Sequence, residues 1–136
     1  MSVEPSVILV VDDESFNCEL VARTLREHTV VSTQDAKEAL EKFDSIAPAI
    51  VLTDYRMPSV TGIEFIRSLR SRGFLLPVLL VTAFPDLEDV VRGKRELGFT
   101  IITKPWKPDE FRRHVEHALK LSKLQAQVRE LKHTIR

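Results

Sequence analysis

Short apolar runs alternate with amphipathic stretches along the chain. Val7 to Val11, Ala49 to Thr53, Pro77 to Val81 and Phe99 to Thr103 are nearly continuous apolar segments, and Thr29 to Thr33 is rich in β-branched residues. Such runs mark parallel strands buried on both faces. Between them, apolar residues recur three and four positions apart: Phe16, Leu20, Val21 and Leu25, then Ala36, Ala39, Leu40, Phe43 and Ala47, then Ile63, Ile66 and Leu69. Leu87, Val90, Val91 and Leu97 mark a fourth helical face, and Phe111, Val115, Ala118 and Leu119 a fifth.

Local signals bound these helices. The first is expected to end near His28, Asp35 to cap the second and Pro48 to close it, and the last to start near Pro108-Asp109. Asp86 with Asp89 resembles a capping box, whereas Gly93 weakens its helix by roughly 1 kcal/mol relative to alanine. The order (βα)5 predicts an α/β domain with a five-stranded parallel, doubly wound sheet. Right-handed crossovers then place a crevice beside strand one, outside the carboxyl ends of the strands.

Beyond the fifth helical face the pattern continues through Leu121, Leu124, Val128, Leu131 and Ile135. This is an a/d repeat with polar residues between, and no further domain within the chain to cover it. Residues 1–121 are therefore expected to form the domain and residues 122–136 an amphipathic, coiled-coil extension of its last helix. Either the extension pairs with a second copy in a parallel homodimer or acts as a signalling helix toward a partner, or it folds back on its own domain.

Charge refines this picture. The 136 residues carry 20 basic and 20 acidic side chains, so no net charge draws the chain to nucleic acid or membrane. From Lys104 onward there are nine Lys or Arg against four Asp or Glu, leaving the body acidic and the tail basic. Those basic residues are spread round the helix with no recognition module after them, which argues against specific DNA binding. The single cysteine, Cys18, rules out an internal disulfide and fits a small buried residue. Met1 to Pro5 lacks the basic and apolar pattern of a leader, and no apolar run approaches a membrane span. A soluble, cytoplasmic protein is expected. His28, His114, His117 and His133 lack a metal or phosphotransfer setting and are expected on exposed helix surfaces.

The chemistry lies directly after the strands. Asp12 and Asp13 follow the first, Asp54 the third, Thr82 and Ala83 the fourth and Lys104 the fifth. Each has an ordinary alternative: Asp12 can cap a helix, Asp54 can form a turn, Thr82 can end a strand and Lys104 can be solvated. Together they define a site. Three clustered carboxylates raise one another's proton affinity unless a cation is present. An all-oxygen set suits a hard ion such as Mg2+, and a carboxylate so held can accept a phosphoryl group. Lys104 is placed to meet the carboxylate or phosphoryl oxygens, Thr82 to offer a hydroxyl and Ala83 a backbone N–H.

The segments Val10-Val11-Asp12-Asp13-Glu14, Thr53-Asp54-Tyr55-Arg56-Met57-Pro58, Thr61-Gly62-Ile63-Glu64-Phe65, Val81-Thr82-Ala83 and Thr103-Lys104-Pro105-Trp106 resemble the receiver domain of two-component response regulators, in particular its Lys-Pro-Trp subset. The resemblance runs from about residue 6 to residue 121 and implies a flavodoxin-like fold. It implies that Asp54 accepts a phosphoryl group from a histidine kinase or phosphotransfer protein. It also implies that Asp12, Asp13, Asp54 and the backbone carbonyl of Arg56 hold Mg2+. A downstream output domain or protein is implied as partner, with at most slow autodephosphorylation rather than enzymatic turnover. In such a switch Thr82 moves toward the phosphoryl group, and an aromatic residue three positions before the lysine turns inward. Here that position is Ile101, which has no ring. Trp106 is read either as covering the lysine loop or as an aromatic plug at the start of the last helix.

Two rival functions differ in class. A phosphohydrolase of the haloacid dehalogenase type also forms an aspartyl phosphate but needs a second aspartate two residues after the first, where this chain has Arg56. A phosphorylation-independent docking and dimerisation scaffold would use the same fold and tail, with Ile101 as its main support.

Overall fold

The computed structural model describes residues 6–135, with side chains through Lys132. Met1 to Pro5, the side chains of His133 and Ile135, and Arg136 lie outside the described residues. The five strands are β1 (Val7–Val11), β2 (Thr29–Thr33), β3 (Ile50–Asp54), β4 (Val78–Thr82) and β5 (Thr100–Thr103). All neighbours pair in parallel, in the order β2-β1-β3-β4-β5. The helices are α1 (Ser15–Thr24), α2 (Ala36–Glu41), α3 (Phe43–Ile46), α4 (Gly62–Ser71), α5 (Glu88–Leu97) and α6 (Pro108–Ile135). This is the flavodoxin-like arrangement expected from the pattern, with a long C-terminal helix.

Alternation along the strands divides the core into two layers. Ile8, Val10, Leu52 and Leu79 pack with Cys18, Val21 and Leu25 of the α1 segment and Phe111, Val115 and Leu119 of α6. Leu9, Val11, Val51 and Leu80 face the other way, onto Ala39, Phe43, Ile63, Ile66 and Val90 of α2 to α5. The chain leaves β1 for β2 on one side and later returns to β3 on the other, so the carboxyl ends of β1 and β3 flank the switch point.

Several local expectations are corrected by packing. The pattern from Ala36 to Ala47 is not one helix: it breaks at Lys42 into α2 and α3, and Ala47 closes it with φ 49°. At the start of α3, Phe43 is buried and packs on Phe74 with ring centroids 4.4 Å apart. In α1 the buried side is Cys18 and Val21; Phe16 is 70% exposed and Leu20 also faces outward. The small thiol is the group that approaches the sheet, its Sγ lying 3.5 Å from the Asp12 carbonyl. Helix α5 begins at Glu88 after Leu87, which supplies no side-chain cap, so Asp86 and Asp89 form no capping box. The carboxylate of Asp89 is engaged elsewhere.

His28 is not an exposed helix residue. It follows α1 in a bend, with its ring buried. Nδ1 accepts from the Ser6 N–H at 3.2 Å, so the proton of the neutral ring lies on Nε2 and is donated to Glu116 at 2.9 Å. The ring thereby joins the leading edge of β1 to α6. Arg70 has a similar role that its position gave no reason to expect. Its guanidinium donates to the carbonyls of Phe74, Leu76, Leu97 and Gly98, binding the ends of α4 and α5 to the turn before β4.

Helix α6 runs unbroken for 28 residues, about 42 Å at 1.5 Å per residue. Its first half covers the sheet. Beyond it Leu121, Leu124, Val128 and Leu131 are exposed, and Gln125 reaches back to the Leu75 carbonyl at 3.3 Å. The apolar stripe of the extension is therefore not folded onto the domain. No helix among the described residues is long and apolar enough to cross a membrane.

Gly62 fixes how closely α4 approaches β3. A Cβ there would lie 2.4 Å from the backbone oxygen of Asp54 and 2.7 Å from Leu80 Cδ1. Gly62→Ala is expected to destabilise the domain by about 2 kcal/mol through this overpacking, read as a lower urea midpoint with an unchanged slope.

Candidate functional site

Three strands end at the residues that carry the chemistry. β3 ends on Asp54 itself, β4 on Thr82, and β5 on Thr103, one residue before Lys104. The backbone N–H of Asp12 extends the β1–β2 ladder by donating to Thr33 at 3.1 Å, which carries its carboxylate to the same edge. The carboxylate oxygens of Asp12, Asp13 and Asp54 lie within 4.8 Å of one another. Lys104 completes the cluster, donating from Nζ to Asp54 Oδ1 at 2.8 Å.

Electrostatics distinguish these groups. Burial pushes the acidity of Asp12 below that of a free carboxyl group; the Glu14 N–H bonded to Oδ1 at 3.0 Å opposes this, Asp54 adds to it and Lys104 relieves it. A buried aspartate among other carboxylates is a poor resting anion and a good ligand for a hard cation. The donor set contains oxygen alone and its spacing suits one small ion. The residues therefore fit a hard ion such as Mg2+.

The remaining residues frame this centre. Thr82 is buried, its Oγ accepting from the Phe84 N–H at 3.0 Å, while its carbonyl accepts from the Lys104 N–H at 2.8 Å. Ala83 is exposed at the rim of a cavity of about 290 Å3 that Asp13, Asp54, Arg56, Thr82 and Lys104 also line. The Lys104-Pro105 peptide is cis. Trp106 sits as an aromatic plug at the start of α6. It stacks on Phe111 at 4.1 Å between centroids, and it walls a second cavity, of about 440 Å3, that reaches Asp12, Asp54 and Lys104.

Three features escaped sequence reasoning. The Arg56 guanidinium lies 5.6 Å from the centroid of Phe84, a cation–π pair at the cavity mouth. Thr61 and Glu64 form the capping box that starts α4: the Glu64 N–H donates to Thr61 at 3.1 Å, and Glu64 accepts from the Thr61 N–H at 2.9 Å. The spacing Thr-x-x-Glu was the available signal. Tyr55, directly after Asp54, donates its phenolic O–H to Asp89 in the first turn of α5. Nothing in the spacing of residues 55 and 89 announced that contact.

Fold and site together define a class: flavodoxin-like α/β domains with an acidic pocket and a lysine at the carboxyl edge of a parallel sheet. Residues 8–116 match the response regulator receiver domain, and the chain belongs to that family. It is 33% identical over 133 residues to the hydrogenase transcriptional regulatory protein HoxA of Cupriavidus necator, a match covering 96% of this chain and 28% of that protein. The crystal structure of NtrX from Brucella abortus superposes with a TM-score of 0.83 at 30% identity, covering 94% of this chain and 30% of that one. The chemotaxis protein CheY4 of Vibrio cholerae shares the fold, with a TM-score of 0.76 at 24% identity over 85% of this chain and 99% of its own. The chain spans about a quarter of the length of the curated relatives it first matches, at 28%, 27% and 26%.

The Tyr55 contact has a measurable consequence. The hydrogen bond to Asp89, followed by burial and the negative charge of Asp89, pushes the phenol from its ordinary 10.0 up to about 12. The folded protein therefore holds this proton more tightly than the unfolded chain. The stability so contributed is fully present below about pH 10 and lost as pH rises toward about 12. Tyr55 is the one tyrosine, so the phenolate absorbance band reports it alone. The band is expected to emerge later than for free tyrosine in the wild type, and to move back toward the ordinary range in Asp89→Ala.

Proposed function

We propose that the chain is a phosphorylation-controlled signalling module in which Asp54 accepts a phosphoryl group from a histidine kinase or phosphotransfer protein. The observation that carries this is the convergence of Asp12, Asp13 and Asp54 with the Lys104 ammonium bonded to Asp54. In the transfer, an Asp54 carboxylate oxygen forms a bond to phosphorus as the donor's P–N bond breaks, and the donor histidine leaves with the electron pair. Asp12, Asp13, Asp54 and the Arg56 carbonyl would hold Mg2+, which when bound supplies positive charge to the developing phosphoryl oxygens.

The protein's own groups account for the other requirements. Lys104 screens Asp54 before transfer and can follow the phosphoryl oxygens afterward. Thr82 and the Ala83 N–H are one residue apart at the end of β4, placed for the remaining oxygens. Arg56 stands where a phosphohydrolase needs its second acid, so no side chain at that position can activate water. The module accepts and holds the group, with slow loss at most, rather than turning over substrate.

The finer partner assignments follow from α6. We read residues 1–121 as the receiver and residues 122–136 as an extension that pairs with a second copy or passes the signal to an output domain or protein. The exposure of Leu121, Leu124, Val128 and Leu131 supports this reading: the side of the helix that touches the domain, through Gln125 and Leu75, is not the apolar stripe. A soluble, cytoplasmic setting without nucleic-acid binding by this chain is part of the same proposal. The phosphorylation-independent scaffold, with the tail doing the binding, has Ile101 as its main support.

Incubation with acetyl phosphate and Mg2+ is expected to add one phosphoryl group, seen by intact mass spectrometry, and none in Asp54→Asn. An unmodified wild type would refute the phosphoacceptor reading and favour the scaffold. Separately, the full chain is expected to sediment as a dimer and a chain ending at Leu121 as a monomer; identical sedimentation would remove the dimer.

A further inference from the structure

We infer that Tyr55 is a positioning residue of the switch: by donating to Asp89 it tethers the first turn of α5 to the phosphoacceptor loop and holds Thr82 in its resting place. This rests on the reading of Asp54 as phosphoacceptor and adds how the site communicates with the helix beside it.

The tether is fixed firmly at one end. The Tyr55 N–H donates to the Val81 carbonyl at 3.2 Å, and the Tyr55 carbonyl accepts from the Gly62 N–H at 2.7 Å. The residue after Asp54 is thus clamped to β4 and to the start of α4, and its ring packs at the edge of the core layer under α4 and α5. From there the phenol reaches Asp89, the second residue of α5.

The other end is where α5 is least secured. Leu87 offers no side-chain cap, and the first turn is held by the Val90 and Val91 N–H groups on the Leu87 carbonyl, each at 3.0 Å. Val90 buries this turn against the core, and Asp89 adds its polar link to the phosphoacceptor loop. Only Ala83 to Glu88 separate Asp89 from Thr82, and that segment is internally bonded. Phe84 donates to Thr82 Oγ, and the Leu87 N–H reaches the Phe84 carbonyl at 3.4 Å. Thr82 cannot carry its hydroxyl toward a phosphoryl group on Asp54 without pulling this short segment and the first turn of α5 with it.

Position 101 adds a second reason. Ile101 has no ring to turn inward, and it packs in the same layer as Tyr55 and Leu87. The single tyrosine of the chain stands between the phosphoacceptor and α5, so the aromatic link to that helix runs through residue 55. In the resting state the bond belongs to one of two arrangements, and a contact made in only one state biases the equilibrium by its own free energy.

The test uses the full chain with Mg2+ and beryllofluoride, a phosphoryl mimic, with Trp106 emission reporting binding beside Lys104. Tyr55→Phe and Asp89→Ala are expected to bind the mimic about fivefold more tightly than wild type, the effect of one net hydrogen bond. The double variant should gain nothing beyond either single change. Asp89→Asn keeps an acceptor oxygen and should return affinity to near the wild-type level. Amides of the first turn of α5 should exchange faster in Tyr55→Phe before any mimic is added. A purely structural role would lower thermal stability without changing affinity for the mimic. Unchanged or weaker binding by Tyr55→Phe, or a double variant whose gain is the product of the singles, would overturn the tether. Failure of the wild type to bind the mimic would instead strike the phosphoacceptor reading itself, and the tether with it.

Discussion

A parallel sheet delivers like charges to one edge, and the Lys104–Asp54 ion pair is what makes that edge tolerable. Asp12, Asp13 and Asp54 arrive on two adjacent strands whose register is fixed by backbone pairing, so they cannot separate to relieve repulsion. The lysine comes from the far side of the sheet, on the strand beyond β4, and spans to Asp54 at 2.8 Å. Its compact charge offsets one carboxylate and leaves the other two facing the cavity. The site therefore keeps carboxylate oxygens open to the cavities around it, a donor set that suits a hard divalent cation.

The rest of the molecule holds that edge rigid and connects it outward. Gly62 permits α4 to start against the Asp54 carbonyl, and the Thr61–Glu64 capping box fixes where it starts. Arg70 binds the distal ends of α4 and α5 with four carbonyl contacts, while the first turn of α5 is held by the burial of Val90 and by the Tyr55–Asp89 hydrogen bond without a side-chain N-cap. On the opposite face, His28 locks α6 to the start of β1, and the same helix then projects its apolar stripe away from the domain. One helix is tied to the phosphoacceptor loop through its first turn, and the other is locked to the sheet over its first half and exposes an apolar stripe beyond it.

Departures from the expected pattern share a cause. Periodicity finds which residues could face a core, but several faces of α1 satisfied it, and packing selected the small Cys18 rather than Phe16. The break at Lys42 accompanies the burial of Phe43 beside Phe74, a partner thirty-one residues away. Asp89 was read as a cap because its local spacing allowed it, and a tyrosine thirty-four residues earlier took its carboxylate. His28 was read as exposed because a lone histidine in a polar stretch usually is. Its burial depends on Glu116, eighty-eight residues later.

The strand runs and their spacing determined the parallel five-stranded order, and with it the convergence of Asp12, Asp13, Asp54, Thr82 and Lys104. Burial on both faces and right-handed crossovers leave few other arrangements. The sequence alone also determined that the final helix carries an apolar stripe in excess of what one domain can cover. Tertiary structure decided which lone polar residues acquired partners: Tyr55 with Asp89, His28 with Ser6 and Glu116, Arg70 with four carbonyls. Those pairings join segments far apart along the chain. They depend on side-chain reach across packed elements, a distance that periodicity does not encode.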